Sequence, residues 1–234
     1  MTFTFKHSLM LSTVVFLGAC GSDSTKSSVS LKGGSAATTN TMAILSGGNL
    51  NASVMKFKVY KFAVSSHTDC SSPVTVFENT AGVEKDMLLG PTFGVGTIPN
   101  GDYSCVMIEL SKIIKTASAT TSGGCTAGAQ FSDVICQDGQ ASQLIDGTPV
   151  TCSGDSANAQ NVTLFITTVS DGDSGNRSLL PPLSTTDTTS GLKLSAAFSV
   201  DSLTSGTLTV DPRNFLDGSG GYCSTSAPTF SFVR

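Results

Sequence analysis

Ser174, in the run Gly172-Asp173-Ser174-Gly175, is the sharpest nucleophile candidate in this chain of 234 residues. A serine hydroxyl attacks a carbonyl when an imidazole takes its proton and a carboxylate orients that imidazole. His67 and Asp102 lie upstream in the order histidine, aspartate, serine. Geometry rather than order makes a triad, and Asp102 sits in a Pro-Asn-Gly turn, so spacing assigns no catalytic residue. The same loop, Asp171 to Asn176, alternates oxygen-bearing side chains as a Ca²⁺ loop does. A loop of the EF-hand type would want its glycine one place later and a distal glutamate, and an acidic turn accounts for the same residues.

Paired carboxylates for glycoside hydrolysis do not stand out, because the glutamates are Glu78, Glu84 and Glu109 and the aspartates are spread through turns. Glu109 falls among apolar residues on a strand expected to be central. It is either a buried acid with a perturbed pKa or the point where that strand reaches solvent; the cost of burying an unpaired carboxylate favours the second. The Gly172-Asp173-Ser174-Gly175 run resembles the nucleophile motif of trypsin-like serine proteases, which implies a hydrolase using Ser174 with His67 as base. The departures are that His67 does not directly precede its cysteine and that Asn176 replaces the second glycine after the serine. The serine hydrolase is therefore an alternative, and a non-enzymatic binding or structural role is the first expectation.

Seven cysteines constrain the chain more firmly. Setting Cys20 aside leaves Cys70, Cys105, Cys125, Cys136, Cys152 and Cys223, an even set that reads as three disulfides in an oxidising compartment. Six cysteines allow 15 connectivities, so spacing does not choose among them. A redox or metal centre is the competing reading, but there is no CxxC and His67 is the only histidine beyond the N-terminal head. No metal or other cofactor is expected. Cys125, Cys136 and Cys152 fall close together, so that loop-rich stretch should be stapled to itself or to a neighbouring strand.

Cys20 stands apart because of what precedes it. Met1 to His7 is a mildly basic head, Leu9 to Leu17 is apolar, and Gly18 and Ala19 are small. That is the layout of a secretory signal. The apolar run is about half of the ~20 residues a spanning helix needs. Leu17-Gly18-Ala19-Cys20 resembles the lipobox of bacterial lipoproteins, which implies cleavage after Ala19 and acylation of Cys20. Two or three acyl chains, at ~0.8 kcal/mol per buried methylene, anchor a protein stably. In the sorting pattern of such lipoproteins an aspartate after the cysteine retains the protein at the inner membrane; Gly21 stands there, which implies the outer membrane of a diderm cell, on either its surface or its periplasmic face. The expected organisation is a signal peptide over 1–19, a lipidated, flexible Ser/Thr/Gly tether over 20–45 and a single β domain over 46–234. A coil of ~20 such residues reaches ~25 Å.

Charged residues make up 13% of the chain, against about 25% in ordinary soluble proteins, and the formal net charge is −4. Nucleic acid is excluded as a partner, since binding it takes clustered Lys or Arg. An exported β protein fits instead, with a protein or glycan ligand.

Strand signals run along the chain. From Val54 to Val64, Met55, Phe57 and Val59 alternate with lysines, and the alternation slips near Tyr60, which predicts a bulge. Lys56, Lys58 and Lys61 read as solvent-face residues protecting an edge strand, or as a patch for an acidic surface. Shorter extended segments follow at 74–77 and 83–89. Pro99-Asn100-Gly101 predicts a turn into a strand over 104–114 that is apolar on both faces and so central. Further strands are predicted over 130–136, 160–169, 192–200, 207–210 and 229–233. Leu192 to Val200 has the cleanest alternation of all, and Ser202 to Gly206 should be the turn after it. Many short strands with turn-rich links predict an all-β, antiparallel sandwich stabilised by disulfides. Ile98-Pro99-Asn100-Gly101-Asp102-Tyr103 resembles the turn and strand of prealbumin-like and carboxypeptidase-regulatory-like β-sandwich domains. The resemblance implies an immunoglobulin/prealbumin-like sandwich used for adhesion, as a stalk or in carbohydrate-associated binding. A periplasm-facing envelope assembly factor is the remaining alternative.

Overall fold

The computed structural model describes residues 26–33, 50–157, 159–172, 177–201, 206–211, 215–226 and 229–233. The expected signal peptide, Cys20 and Ser174 lie outside the described residues, as does nearly all of the expected 202–206 turn.

The described chain is built from strands: β1 (Lys26–Gly33), β2 (Ala52–Ser65), β3 (Val74–Asp86), β4 (Thr92–Pro99), β5 (Gly101–Tyr103), β6 (Cys105–Ser111), β7 (Ile113–Ser118), β8 (Gln130–Val134), β9 (Ala141–Gln143) and β10 (Pro149–Thr151). They continue with β11 (Asn161–Thr167), β12 (Leu192–Lys193), β13 (Phe198–Val200), β14 (Gly206–Asp211), β15 (Leu216–Asp217), β16 (Ser224–Thr225) and β17 (Thr229–Val233). One short 3₁₀ turn, Met87–Leu89, follows β3.

Two sheets face each other. The smaller has the order β17-β14-β1-β4. In the larger, β2 pairs with β3 along one side and with β6 and then β7 along the other. β11 lies beside β6, and β8 beside β7. One apolar cluster joins the sheets: Val29, Leu31 and Leu208 from the smaller meet Met55, Phe57, Phe62, Ile108 and Leu110 from the larger. The fold is thus the expected all-β sandwich, mostly antiparallel. Among the described strands two pairs run parallel, β1 with β14 and β11 with β12.

Several expectations hold residue by residue. The register of β2 shifts between Val59 and Lys61 against both neighbours, which is the bulge expected near Tyr60. It keeps Phe62 and Val64 facing the same core as Met55 and Phe57. The strand expected over 104–114 divides at Lys112 into β6 and β7, but β6 is central and buried on both faces as expected, Ile108 and Leu110 toward the other sheet and Cys105 and Met107 under Ile145 and Phe165. After Asn100, Gly101 takes φ 155° and the chain turns into β5. The Tyr103 hydroxyl donates to the Pro99 carbonyl at 2.5 Å, tying the turn to the strand it feeds.

Three expectations are corrected. First, residues 26–33 lie in the stretch expected to be a tether, yet they form β1, an interior strand of the smaller sheet. Its only large apolar residues, Val29 and Leu31, are both fully buried, and its backbone is hydrogen-bonded on both sides. Second, β2 is not an edge strand. Lys58 lies opposite Glu84 and Lys61 opposite Glu78 and Glu109. Lys61 pairs with Glu78 at 3.4 Å, and Lys115 of β7 reaches Glu84 at 2.9 Å. The lysines therefore answer a row of acids on the outer face, where each such pair is worth about 0–1 kcal/mol. Third, 192–200 is not one strand: β12 runs beside β11, and β13 pairs with β5. The segments 74–77 and 83–89, by contrast, merge into the single strand β3 and the turn after it.

The cysteines close three bridges: Cys70–Cys105, Cys125–Cys223 and Cys136–Cys152, with Cα separations of 5.3, 4.6 and 5.7 Å. The Cys136–Cys152 bridge staples the loop-rich stretch to itself, as expected. Cys125–Cys223 reaches across 98 residues to hold a late segment against the sandwich.

Candidate functional site

Between the two sheets lies a partly open cavity of about 590 Å³. Its apolar wall comes from residues that alternation points inward: Leu31 and Phe93 from the smaller sheet, Met55, Phe57, Ile108 and Leu110 from the larger. Phe57 and Phe93 stack across the gap with centroids 5.5 Å apart and rings 11° from parallel. Asp133 of β8, Gln137 and Gln140 of the following loop, and Ser178 add polar groups.

A flap formed by residues 215–226 lines a further side of it, contributing Phe215, Tyr222, Cys223 and the run Ser224-Thr225-Ser226. Several contacts fasten it. The N–H groups of Leu50 and Leu216 donate to each other's carbonyls at 3.0 and 3.2 Å. Gly124 N–H donates to the Gly218 carbonyl at 2.9 Å. Gly123, at φ 55°, passes so near that a Cβ there would lie 1.8 Å from the Gly218 oxygen, so only glycine fits. The Cys125–Cys223 disulfide adds a covalent tie. At the flap's far side Oδ2 of Asp133 accepts from the N–H and the Oγ1 hydroxyl of Thr225, at 2.8 and 2.5 Å.

Chemically, this arrangement suits binding. Its volume falls within the ~300–1,000 Å³ of small-molecule sites, and its lining joins an apolar wall to a polar side. Among the described residues Asp133 is the one carboxylate of the lining, and no Lys, Arg or His contributes to it. Nothing in the sequence pattern singled out this site, because its wall is ordinary core alternation and its flap is a turn-rich segment. Asp133, Gln137 and Gln140 carry no motif.

The residues expected to do chemistry lie elsewhere. His67 is in the loop after β2, its N–H bonded to Ser65 Oγ and its carbonyl accepting from Cys70 N–H at 3.1 Å. The Asp102 carboxylate accepts from Ser199 Oγ across β5 and β13. Among the described residues no hydrogen bond or ion pair joins His67 to Asp102. Beside His67, hydrogen bonds from Ser71 hold the Asp69 carboxyl below the usual carboxylate range, and the histidine's charge lowers it further. Of the loop considered for Ca²⁺, Asp171 and Gly172 are described: Asp171 N–H donates to the Thr188 carbonyl and Gly172 N–H to Ser170 Oγ. Among the described residues no group of three or more His, Cys, Asp or Glu could hold a metal ion. Glu109 is half-buried, accepts from Asn161 Nδ2 at 3.1 Å and lies opposite Lys61, which agrees with a strand reaching solvent there.

No family model, curated protein or solved structure matches this chain.

Proposed function

We propose that this protein is a lipid-anchored binding module of the outer membrane, acylated on Cys20, whose sandwich cavity holds an apolar ligand. The observation that carries the binding role is the 590 Å³ cavity between the sheets, walled by Leu31, Phe57, Phe93 and Leu110 and bordered by a cross-linked flap. An apolar body bound against that wall would remove its surface from water and gain dispersion contacts. The Leu17-Gly18-Ala19-Cys20 run supplies the anchoring part of the proposal, and three disulfides fit an oxidising compartment.

The test is titration of the purified protein with N-phenylnaphthylamine, a neutral probe that brightens in apolar surroundings. Leu164 of β11 also lines the cavity; saturable binding is expected, together with its loss in Leu164→Trp, where the indole fills the space. A signal that does not saturate, or that is unchanged by Leu164→Trp, rules the cavity out as the binding site. Incorporation of labelled palmitate that disappears in Cys20→Ala checks the anchor separately.

A further inference from the structure

We propose that the cavity selects single-chain amphiphiles with an uncharged or cationic head and rejects those with an anionic head. This inference rests on the binding role proposed above and concerns what the site discriminates. The argument starts from Asp133, whose carboxylate is fixed in place. Oδ2 accepts from the N–H and hydroxyl of Thr225, and Oδ1 accepts from Val134 N–H at 2.8 Å. Three of its roughly four acceptor positions are therefore taken by the protein, and the group cannot swing away from an unwelcome neighbour.

Among the described residues nothing in the lining balances its charge. The other polar contributors are amides and hydroxyls: Gln137, Gln140, Ser178, Tyr222, Ser224 and Ser226. Lys112, whose carbonyl accepts from Ile135 N–H, points elsewhere: it is fully buried, and its Nζ donates to the Ser153 carbonyl. A ligand carboxylate or phosphate drawn into this rim would face a like charge, with no cation among the described lining residues to meet it. An alcohol or amide head finds donors and acceptors, and an ammonium head finds a counter-charge as well. The apolar wall is indifferent to the head, so the tail sets affinity and the rim sets selectivity.

The experiment is calorimetric titration of the full mature protein with three probes sharing one tail, each below its critical micelle concentration: glycerol monolaurate, dodecylamine and laurate. At neutral pH the first two are expected to bind and laurate to bind at least ~10-fold more weakly, the size of effect one unfavourable charge contact produces. Asp133→Asn should strengthen laurate relative to glycerol monolaurate by about the same factor and weaken dodecylamine. Thr225→Val removes one hydrogen bond from the flap but keeps the charge, so it should preserve the wild-type order. Laurate binding as tightly as glycerol monolaurate, or an order that Asp133→Asn leaves unchanged, overturns the selectivity. In that event, saturable N-phenylnaphthylamine binding would leave the broader role standing. Failure of that probe together with all three amphiphiles would overturn both.

Discussion

Two stretches of this chain exchange the places that their sequences suggest. Lys26 to Gly33, poor in large apolar residues, is an interior strand with neighbours on both sides. Leu192 to Val200, with the most regular alternation in the protein, is split into a two-residue and a three-residue strand that serve different partners. The inward residues of the second stretch do what alternation says: Leu194, Phe198 and Val200 are buried. Ala196 is not; it sits exposed where the chain leaves β11, after Leu194 N–H donates to the Thr167 carbonyl, and crosses to β5. Alternation thus tells which side chains seek the core. Whether a strand forms depends on whether the fold leaves an open row of backbone groups beside it.

This contrast can be broken most forcefully at Leu31, which is 1% exposed between β14 and β4. Leu31→Asp buries an unpaired charge and should cost at least about 4 kcal/mol in urea unfolding. A tether would not register the change. Next comes Gly96, on the β4 strand that pairs with β1, where a Cβ would lie 1.7 Å from the Val76 carbonyl oxygen. Gly96→Ala should lower stability by about 3 kcal/mol, because backbone rather than a movable side chain stands in the way.

A smaller effect is expected at Asp187, in the loop leading to β12. N–H groups of Leu183 and Thr189 and the hydroxyls of Thr189 and Ser190 hold its carboxyl well below the usual carboxylate range. With the folded pKa below the unfolded one, its stabilisation is complete above about pH 4 and declines as pH falls further. Asp187→Asn should therefore flatten the fall of the melting temperature below pH 4 relative to wild type. The smallest change is expected at Ala196. Ala196→Asp should shift stability by no more than about 0.5 kcal/mol, since its side chain meets water. A loss of several kcal/mol would restore one continuous strand over 192–200.

The candidate site was much less legible than the fold. Serine, histidine and aspartate attract notice as residue types, yet Asp102 is occupied by Ser199 and His67 is turned into a loop closed by Cys70–Cys105. The cavity uses leucines, phenylalanines and a methionine that look like any core. Its rim depends on Asp133 meeting Thr225, a contact spanning 92 residues that neither local pattern foretells.

Local chemistry was enough to establish the strand-rich class, the bulge near Tyr60, the turn at Pro99-Asn100-Gly101 and the six cysteines available for bridges, because alternation, backbone preference and residue count act over a few positions. Tertiary structure alone decided which cysteines pair, that β1 is a strand, that 192–200 divides, and that the sheets stand apart over a cavity. Each of these turns on which distant segments come to lie side by side, and neighbouring residues carry no record of that.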